Sequence, residues 1–372
     1  MPVICRQVLK VLEQLAPSQL SEEWDNTGLL IGDPSAEVEG IMLCLDMSVS
    51  VLEEALEKGA NLVISHHPFL FKPLKTLRFD SPLGQLLQKI IKEELQVIAL
   101  HTNFDHAGEG VSAQLAKKLG LVDVKVLQPK YRETLYKLTV FVPREHESAV
   151  RQAIGDAGAG HIGNYSHCTF RVSGTGTFLP LEGTNPFIGA KGRMEEVEEF
   201  RLETIVPESR LGKVLDAMLA AHPYEEVAYD LYPLANQIKE HGLGRIGRLP
   251  EPVSLARFAE QVKKRLALPA VRLAGNPEQI IATVAVCGGS GKHLIAAAAS
   301  AGADALVTGE LGHHEAQVAR DLNLALVDAG HFGTEIVSLP FLAAYLERAL
   351  DAQQNNIFVA MAVTEKDPWQ IV

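Results

Sequence analysis

Four short apolar runs, each of strand length and each ending in histidine or carboxylate residues, constrain this chain most. They cover 61–64, 97–100, 305–307 and 325–327. The first runs into Ser65-His66-His67-Pro68 and the second into His101-Thr102-Asn103-Phe104-Asp105-His106. The third runs into Thr308-Gly309-Glu310-Leu311-Gly312-His313-His314-Glu315, and the fourth into Asp328-Ala329-Gly330-His331-Phe332-Gly333-Thr334-Glu335. These segments hold seven of the 13 histidines, so chance placement is a poor account of them.

The runs alternate with helical spacing. Val8, Val11, Leu12 and Leu15 fall on one face of a helix over 5–15, and further helices are expected over 50–58, 85–95 and 111–119. A strand is expected at 41–45. The last third repeats the pattern, with a strand at 281–286 and helices at 294–301, 315–321 and 334–350. Strands separated by such helices imply βαβ units and a mostly parallel sheet, an α/β core. From about 131 to 232 the pattern changes. Strands at 135–142 and 199–206 are each followed by a helical stretch, 147–157 and 208–221. That reads as a ferredoxin-like α+β domain inserted into the core, with a flexible loop at 189–192. The expected division is core 1–128, insert 129–238 and core 239–372.

Composition narrows the function classes. Of 372 residues 47% are apolar, enough to build a real core. With 34 basic against 46 acidic residues the net charge is −12, which disfavours binding to nucleic-acid phosphates. Cys5, Cys44, Cys168 and Cys287 are scattered without a CxxC pair, so reduced thiols in a cytoplasmic protein are expected. The N-terminal residues do not read as a signal peptide, and no apolar run is long enough to cross a membrane.

In open parallel sheets ligands bind at the carboxyl ends of strands. Imidazole and carboxylate there suit zinc, iron, manganese, nickel or cobalt. His331 and Glu335, spaced i, i+4, share one side of a helical turn. Adjacent His66 and His67 diverge and would serve different metals. A carboxylate such as Asp105 or Glu335 can bridge two cations about 3.5–4 Å apart, which would activate a water between them.

The segments at His66-His67, His101–Asp105 and Asp328–Glu335 resemble, in the same order, the motifs of the GTP cyclohydrolase I type 2 homologue family, also called the Nif-three-like dinuclear-metal proteins. Glu23-Trp24-Asp25-Asn26-Thr27-Gly28-Leu29-Leu30-Ile31-Gly32 is similar to its N-terminal signature. The resemblance covers both outer thirds of the chain. It implies that His66, His67, Asp105, His331 and Glu335 hold two divalent metal ions per chain, zinc being the first choice. It also implies a homohexameric ring with its sites facing an internal cavity. The insert resembles the extra PII-like domain of the longer bacterial members, with His222-Pro223-Tyr224-Glu225-Glu226-Val227-Ala228-Tyr229-Asp230 as its recognisable piece.

The expected function is metal-dependent hydrolysis of a small nucleotide or phosphorylated substrate, with GTP ring opening as the activity the family name implies. His101, Glu310 and His313 are candidate acid/base groups. The alternative is a non-catalytic metal-handling or regulatory protein acting through its insert. Other motifs carry less. Cys287-Gly288-Gly289-Ser290-Gly291-Lys292-His293 departs from a phosphate loop at Val286 and His293 and reads as a tight strand-to-helix turn. Trp24 to Gly28 either shapes the pocket or forms a turn. The run at His222 reads as a solvated loop, and Glu195-Glu196-Val197-Glu198-Glu199 as a solvated face.

Overall fold

The computed structural model describes residues 2–236, 240–351 and 357–371. They fall into two compact units, Met1–Tyr131 with His241–Val372, and Arg132–Glu240. The expected boundary between residues 238 and 239 lies outside the described residues.

The first unit begins with α1 (Cys5–Leu15), β1 (Gly28–Ile31), β2 (Gly40–Cys44), α2 (Val49–Glu57), β3 (Leu62–Ser65), α3 (Pro82–Lys92) and β4 (Gln96–Ala99). It continues through α4 (Thr102–His106), α5 (Val111–Lys118) and β5 (Val122–Arg132). The second unit contains β6 (Leu135–Pro143), α6 (Glu147–Asp156), β7 (Thr169–Phe178), β8 (Glu195–Pro207), α7 (Leu211–Ala221) and β9 (Tyr229–Leu234). The chain then returns with β10 (Glu240–Ser254), α8 (Leu255–Arg265), β11 (Arg272–Ala274), β12 (Ile280–Ser290), α9 (Ile295–Ser300) and β13 (Ala305–Gly309). It closes with α10 (His313–Asp321), β14 (Ala325–Asp328), α11 (His331–Glu335), α12 (Leu339–Asp351) and β15 (Phe358–Met361).

The first unit is mixed α/β, with two sheets. One has the order β1-β4-β3-β2-β15; its strands run parallel except β1, which is antiparallel to β4. The other has the order β11-β14-β13-β12-β10-β5. Here β12, β13 and β14 are parallel, while β11 runs antiparallel to β14 and β10 antiparallel to β12. Strict alternation explains why helices cover both faces of the first sheet. Ile41, Leu43, Leu62 and Ile64 turn to α1 and α12, while Met42, Cys44 and Val63 turn to α2 and α3. The second sheet is likewise covered by α5 and α8 on one side and by α9 and α10 on the other. Strands buried on both faces need continuous apolar runs, which is how they were visible in the sequence.

Two expected elements differ. Gly288, Gly289 and Ser290 of the glycine run continue β12, with Ser290 paired to Gly309 across an irregularity in the ladder, and Gly291 leads into a 3-10 turn at Lys292–Leu294. The expected helix over 334–350 is broken into α11, a 3-10 turn at Ile336–Ser338, and α12. Pro340 accounts for the break, because its ring cannot accommodate the carbonyl four residues earlier.

The second unit is a β-α-β-β-α-β chain with all-antiparallel order β7-β8-β6-β9, the split βαβ connectivity. Helices α6 and α7 cover one face of this sheet, on Leu138, Val140, Val142, Leu202 and Val206. No helix among the described residues is long and apolar enough to cross a membrane.

A histidine-carboxylate cluster between the two sheets of the first unit

Each of the two sheets sends residues from its strand ends into one cluster. Past β3 the ladder continues for two residues, since His66 N–H donates to the Cys44 carbonyl at 3.0 Å and His67 N–H to the Leu45 carbonyl at 2.8 Å. His101 caps α4, and Asp105 lies within its single turn. Gly330, at φ +74°, turns the chain from β14 into α11, which begins at His331 and ends at Glu335. Thr334 ties that turn to the glycine run by accepting the Gly289 N–H at 2.9 Å.

Glu335 lies at the centre and is 3% exposed. Its Oε1 is 3.1 Å from His331 Nε2 and 3.6 Å from His66 Nε2; its Oε2 is 3.1 Å from His67 Nε2. Asp105 Oδ1 is 3.7 Å from His66 Nε2. The ring nitrogens of His67 and His331 stand 3.2 Å apart, Nε2 to Nε2. His66, His67 and His101 form one set of donor atoms close enough to hold a metal ion, and His67, His331 and Glu335 form another. Asp105 belongs to neither set and reaches the cluster through His66.

The other side of each imidazole is fixed. His66 Nδ1 meets the Leu100 carbonyl at 2.8 Å, His67 Nδ1 the Asp46 carboxylate at 3.0 Å, His101 Nδ1 the Asp25 carboxylate at 2.8 Å, and His331 Nδ1 the Glu310 carboxylate at 2.9 Å. All four partners are acceptors, so each Nδ1 carries the proton and each Nε2 lone pair turns inward. Asp25 is held in turn by the backbone N–H and hydroxyl of Thr102. Asp46 is positioned by Glu365, which accepts the N–H groups of Leu45 at 2.9 Å and Asp46 at 2.5 Å.

Two buried atoms in this arrangement lack a hydrogen-bond partner among the described residues: His66 Nε2 and Glu335 Oε2. The latter sits at ion-pair distance from His67 but out of hydrogen-bond alignment. Buried polar atoms are rarely left this way, and a cation coordinated by both would satisfy them. The electrostatics agree. Burial opposes charge on His66 and His67, but the neighbouring carboxylates outweigh it and raise both imidazoles, His67 to about 10. The Glu335 hydrogen bond leads a rise at His331. Burial works against charge on Glu335 too, yet His66, His331 and His67 hold it far below the usual carboxylate range. Burial raises Asp105. Without a metal, protons take its place among these groups.

Of the other residues singled out in the sequence, Glu310 orients His331, whereas His313 packs its ring against His314 and joins neither donor set found among the described residues. His106 bonds Glu22. Cys287 lies near the carboxylates, but burial pushes its thiol up to about 12, so it is a neutral neighbour. Trp24 and Phe71, both exposed, stand beside His101 with ring centroids 6.2 and 6.5 Å from it. The residue most clearly missed is Gly289. At φ +62° it leaves open the space where a Cβ would overlap Glu335 Oε1 and approach His331 Nε2 at 3.3 Å. The glycine run therefore admits the cluster to the backbone. Asp328 was also missed; it accepts the Leu311 and Gly330 N–H groups and pairs with Arg272.

Residues 3–368 match the Duf34/NIF3 (NGG1p interacting factor 3) family, and the chain belongs to that family. It is 45% identical, over 98% of both chains, to a protein of Halalkalibacterium halodurans named GTP cyclohydrolase 1 type 2 homolog. A Bacillus subtilis protein of the same name is 45% identical over 89% of each chain. Among solved structures, a Bacillus cereus protein related to NIF3 superposes with a TM-score of 0.90 at 43% identity, covering 100% of both chains.

Proposed function

We propose that this Duf34/NIF3 protein binds two divalent cations through His66, His67, Asp105, His331 and Glu335 and hydrolyses a small nucleotide or phosphorylated substrate. One observation carries the reading: four imidazoles have Nδ1 tied to an acceptor and Nε2 turned inward, two of those Nε2 atoms 3.2 Å apart. Facing lone pairs at that distance repel unless a proton or metal ion lies between them. Orientation of ligand imidazoles by an acceptor on the far nitrogen is the usual support of a metal site. The two oxygens of Glu335 face different imidazoles, which suits a bridging role. Zinc fits these donors, and iron, manganese, nickel and cobalt accept the same set.

When bound, such a pair of cations supplies Lewis acidity and lowers the pKa of a water. The chain's own residues do the rest. Asp46, Asp25, Glu310 and the Leu100 carbonyl hold the imidazoles in one tautomer. His101, at the edge of the cluster and backed by Asp25, is placed to carry a proton. Trp24 and Phe71 offer exposed ring faces beside it, a surface for a planar base. The relatives' name makes GTP the first substrate to try. A PII-like role for the second unit and a hexameric assembly go with the same family reading, the latter testable by sedimentation.

Metal per chain, measured by elemental analysis after purification without chelator, tests the site. The expectation is about two per chain in the parent and clear loss in His66→Ala and Glu335→Ala. Absence of metal after reconstitution would refute it. A metal-handling role is the second reading, favoured by a second compact unit with a cavity of its own. Bound metal without turnover across a hydrolase substrate panel would select it.

A further inference from the structure

The second unit contains a cavity of about 580 Å3 on the face of its sheet that α6 and α7 leave uncovered. Its floor is β7, where Gly174 and Gly176 keep the surface low; a Cβ on Gly176 would overlap the Glu199 carboxylate. The segment 180–188 and the run after His222 form the walls. The size is that of a small-molecule site.

Glu199 is only 7% exposed, contrary to the solvated face expected for the acidic run. Strand pleating explains this: in β8, Glu196 and Glu198 point outward while Glu199 is buried. Among the described residues its carboxylate accepts one hydrogen bond, from the Tyr224 hydroxyl at 2.9 Å, and has no basic partner at ion-pair distance. Arg201, on the same wall, is engaged by Glu203 at 2.9 Å. A buried carboxylate so poorly compensated is costly unless a cation joins it. Around it stand three aromatic rings, Phe178 and Phe187 at 6.0 and 6.3 Å from Tyr224. Glu225 accepts the Asn185 N–H at 2.8 Å and so pins the 180–188 segment at the cavity. The His222 run is a loop with Glu225 and Glu226 exposed, as expected, but its histidine is tied down. His222 Nε2 donates to the Phe141 carbonyl, and its Nδ1 accepts the Tyr224 N–H.

Aromatic faces attract cations, and a carboxylate among them selects an organic cation over a neutral ligand. We propose that this cavity binds an alkylammonium group, with Glu199 as counter-ion and Tyr224, Phe178 and Phe187 as the surrounding rings. The probe is choline, titrated calorimetrically into the full chain beside its neutral isostere 3,3-dimethylbutan-1-ol. Putrescine stands in for primary amines. We expect saturable binding of at least one ammonium probe. The neutral isostere, and Glu199→Gln with any probe, should bind about ten-fold more weakly or worse. Glu199→Gln keeps the shape and a hydrogen-bond acceptor, and an unchanged melting temperature confirms that it folds. Equal affinity for the neutral isostere, or unchanged affinity in Glu199→Gln, overturns the proposal. So does the absence of binding by every ammonium probe at millimolar concentration. If the mass in solution also falls in Phe187→Ala, the cavity instead receives a second copy of the chain.

Discussion

Gly289→Ala separates backbone strain from damage to the cluster. Gly289 holds φ +62°, and a Cβ there would overlap Glu335 Oε1 and lie 3.2 Å from Glu335 Cδ. The first consequence is the left-handed backbone, which costs alanine about 1–2 kcal/mol. The second is displacement of Glu335, which cannot retreat freely because three imidazoles surround it. Gly59→Ala isolates the first. Gly59 holds φ +75° with nothing within 4 Å of its Cβ position. Both variants, freed of metal, should melt roughly 1–4 °C below the parent. Only Gly289→Ala should lose metal affinity. Loss of an orienting partner weakens a site about 10–100-fold, and moving a ligand itself should reach the upper end or beyond, on the order of 3 kcal/mol. Equilibrium dialysis against zinc or manganese reads this directly. Parental affinity in Gly289→Ala would refute the assignment of Glu335 as a ligand. Equal loss in Gly59→Ala would show that metal uptake follows global stability instead.

Three further outcomes are expected. Asp46→Asn removes the charged acceptor behind His67 and should weaken metal binding about 10–100-fold without unfolding the chain; dialysis checks both affinity and stoichiometry. The raised imidazoles make the metal-free protein pH-sensitive. A group raised on folding contributes stability that is complete below its unfolded value, near 6.5, and lost as pH rises through its folded value, about 10 for His67. Chelator-treated protein should therefore become less stable between pH 6.5 and 10, with a smaller decline when metal is present; matching curves would contradict the proton-for-metal exchange. Arg245 is 2% exposed and donates to the carbonyls of Gly242, Gly244, Ala107 and Gly108, so Arg245→Met should destabilise by roughly 3 kcal/mol or more in denaturant unfolding.

The strands and helices of the first unit were legible because doubly covered strands must be apolar throughout, and because the helices between them are amphipathic. The rule that parallel strands put their carboxyl ends on one side marked the segments that hold His66, His67, Asp105, His331 and Glu335; the choice of these five came from the family resemblance, and the meeting of two separate sheets at one cluster was not legible. What stands behind those residues was not legible. Asp25, Asp46 and the Leu100 carbonyl orient imidazoles by hydrogen bonds whose partners depend on the packing of loops. Gly289 was read as part of a turn because a glycine run looks alike whether it shapes a turn or makes room for a carboxylate. His313 looked equivalent to His101, each following a strand, yet of the two, among the described residues, His101 alone shares a donor set with His66 and His67.

The acidic run shows the same limit from the other side. Its sequence, Glu-Glu-Val-Glu-Glu, has no apolar face long enough to announce a buried position. Once the segment is a strand, however, period-two alternation assigns Glu195, Val197 and Glu199 to one face and Glu196 and Glu198 to the other. Half of the run must then face whatever covers the sheet. Near Glu199 that cover is Tyr224 and the 180–188 segment, elements separated from it by many residues in either direction. Charge composition alone points to solvent; strand geometry and a distant tyrosine make one carboxylate of four a buried, chemically distinctive group.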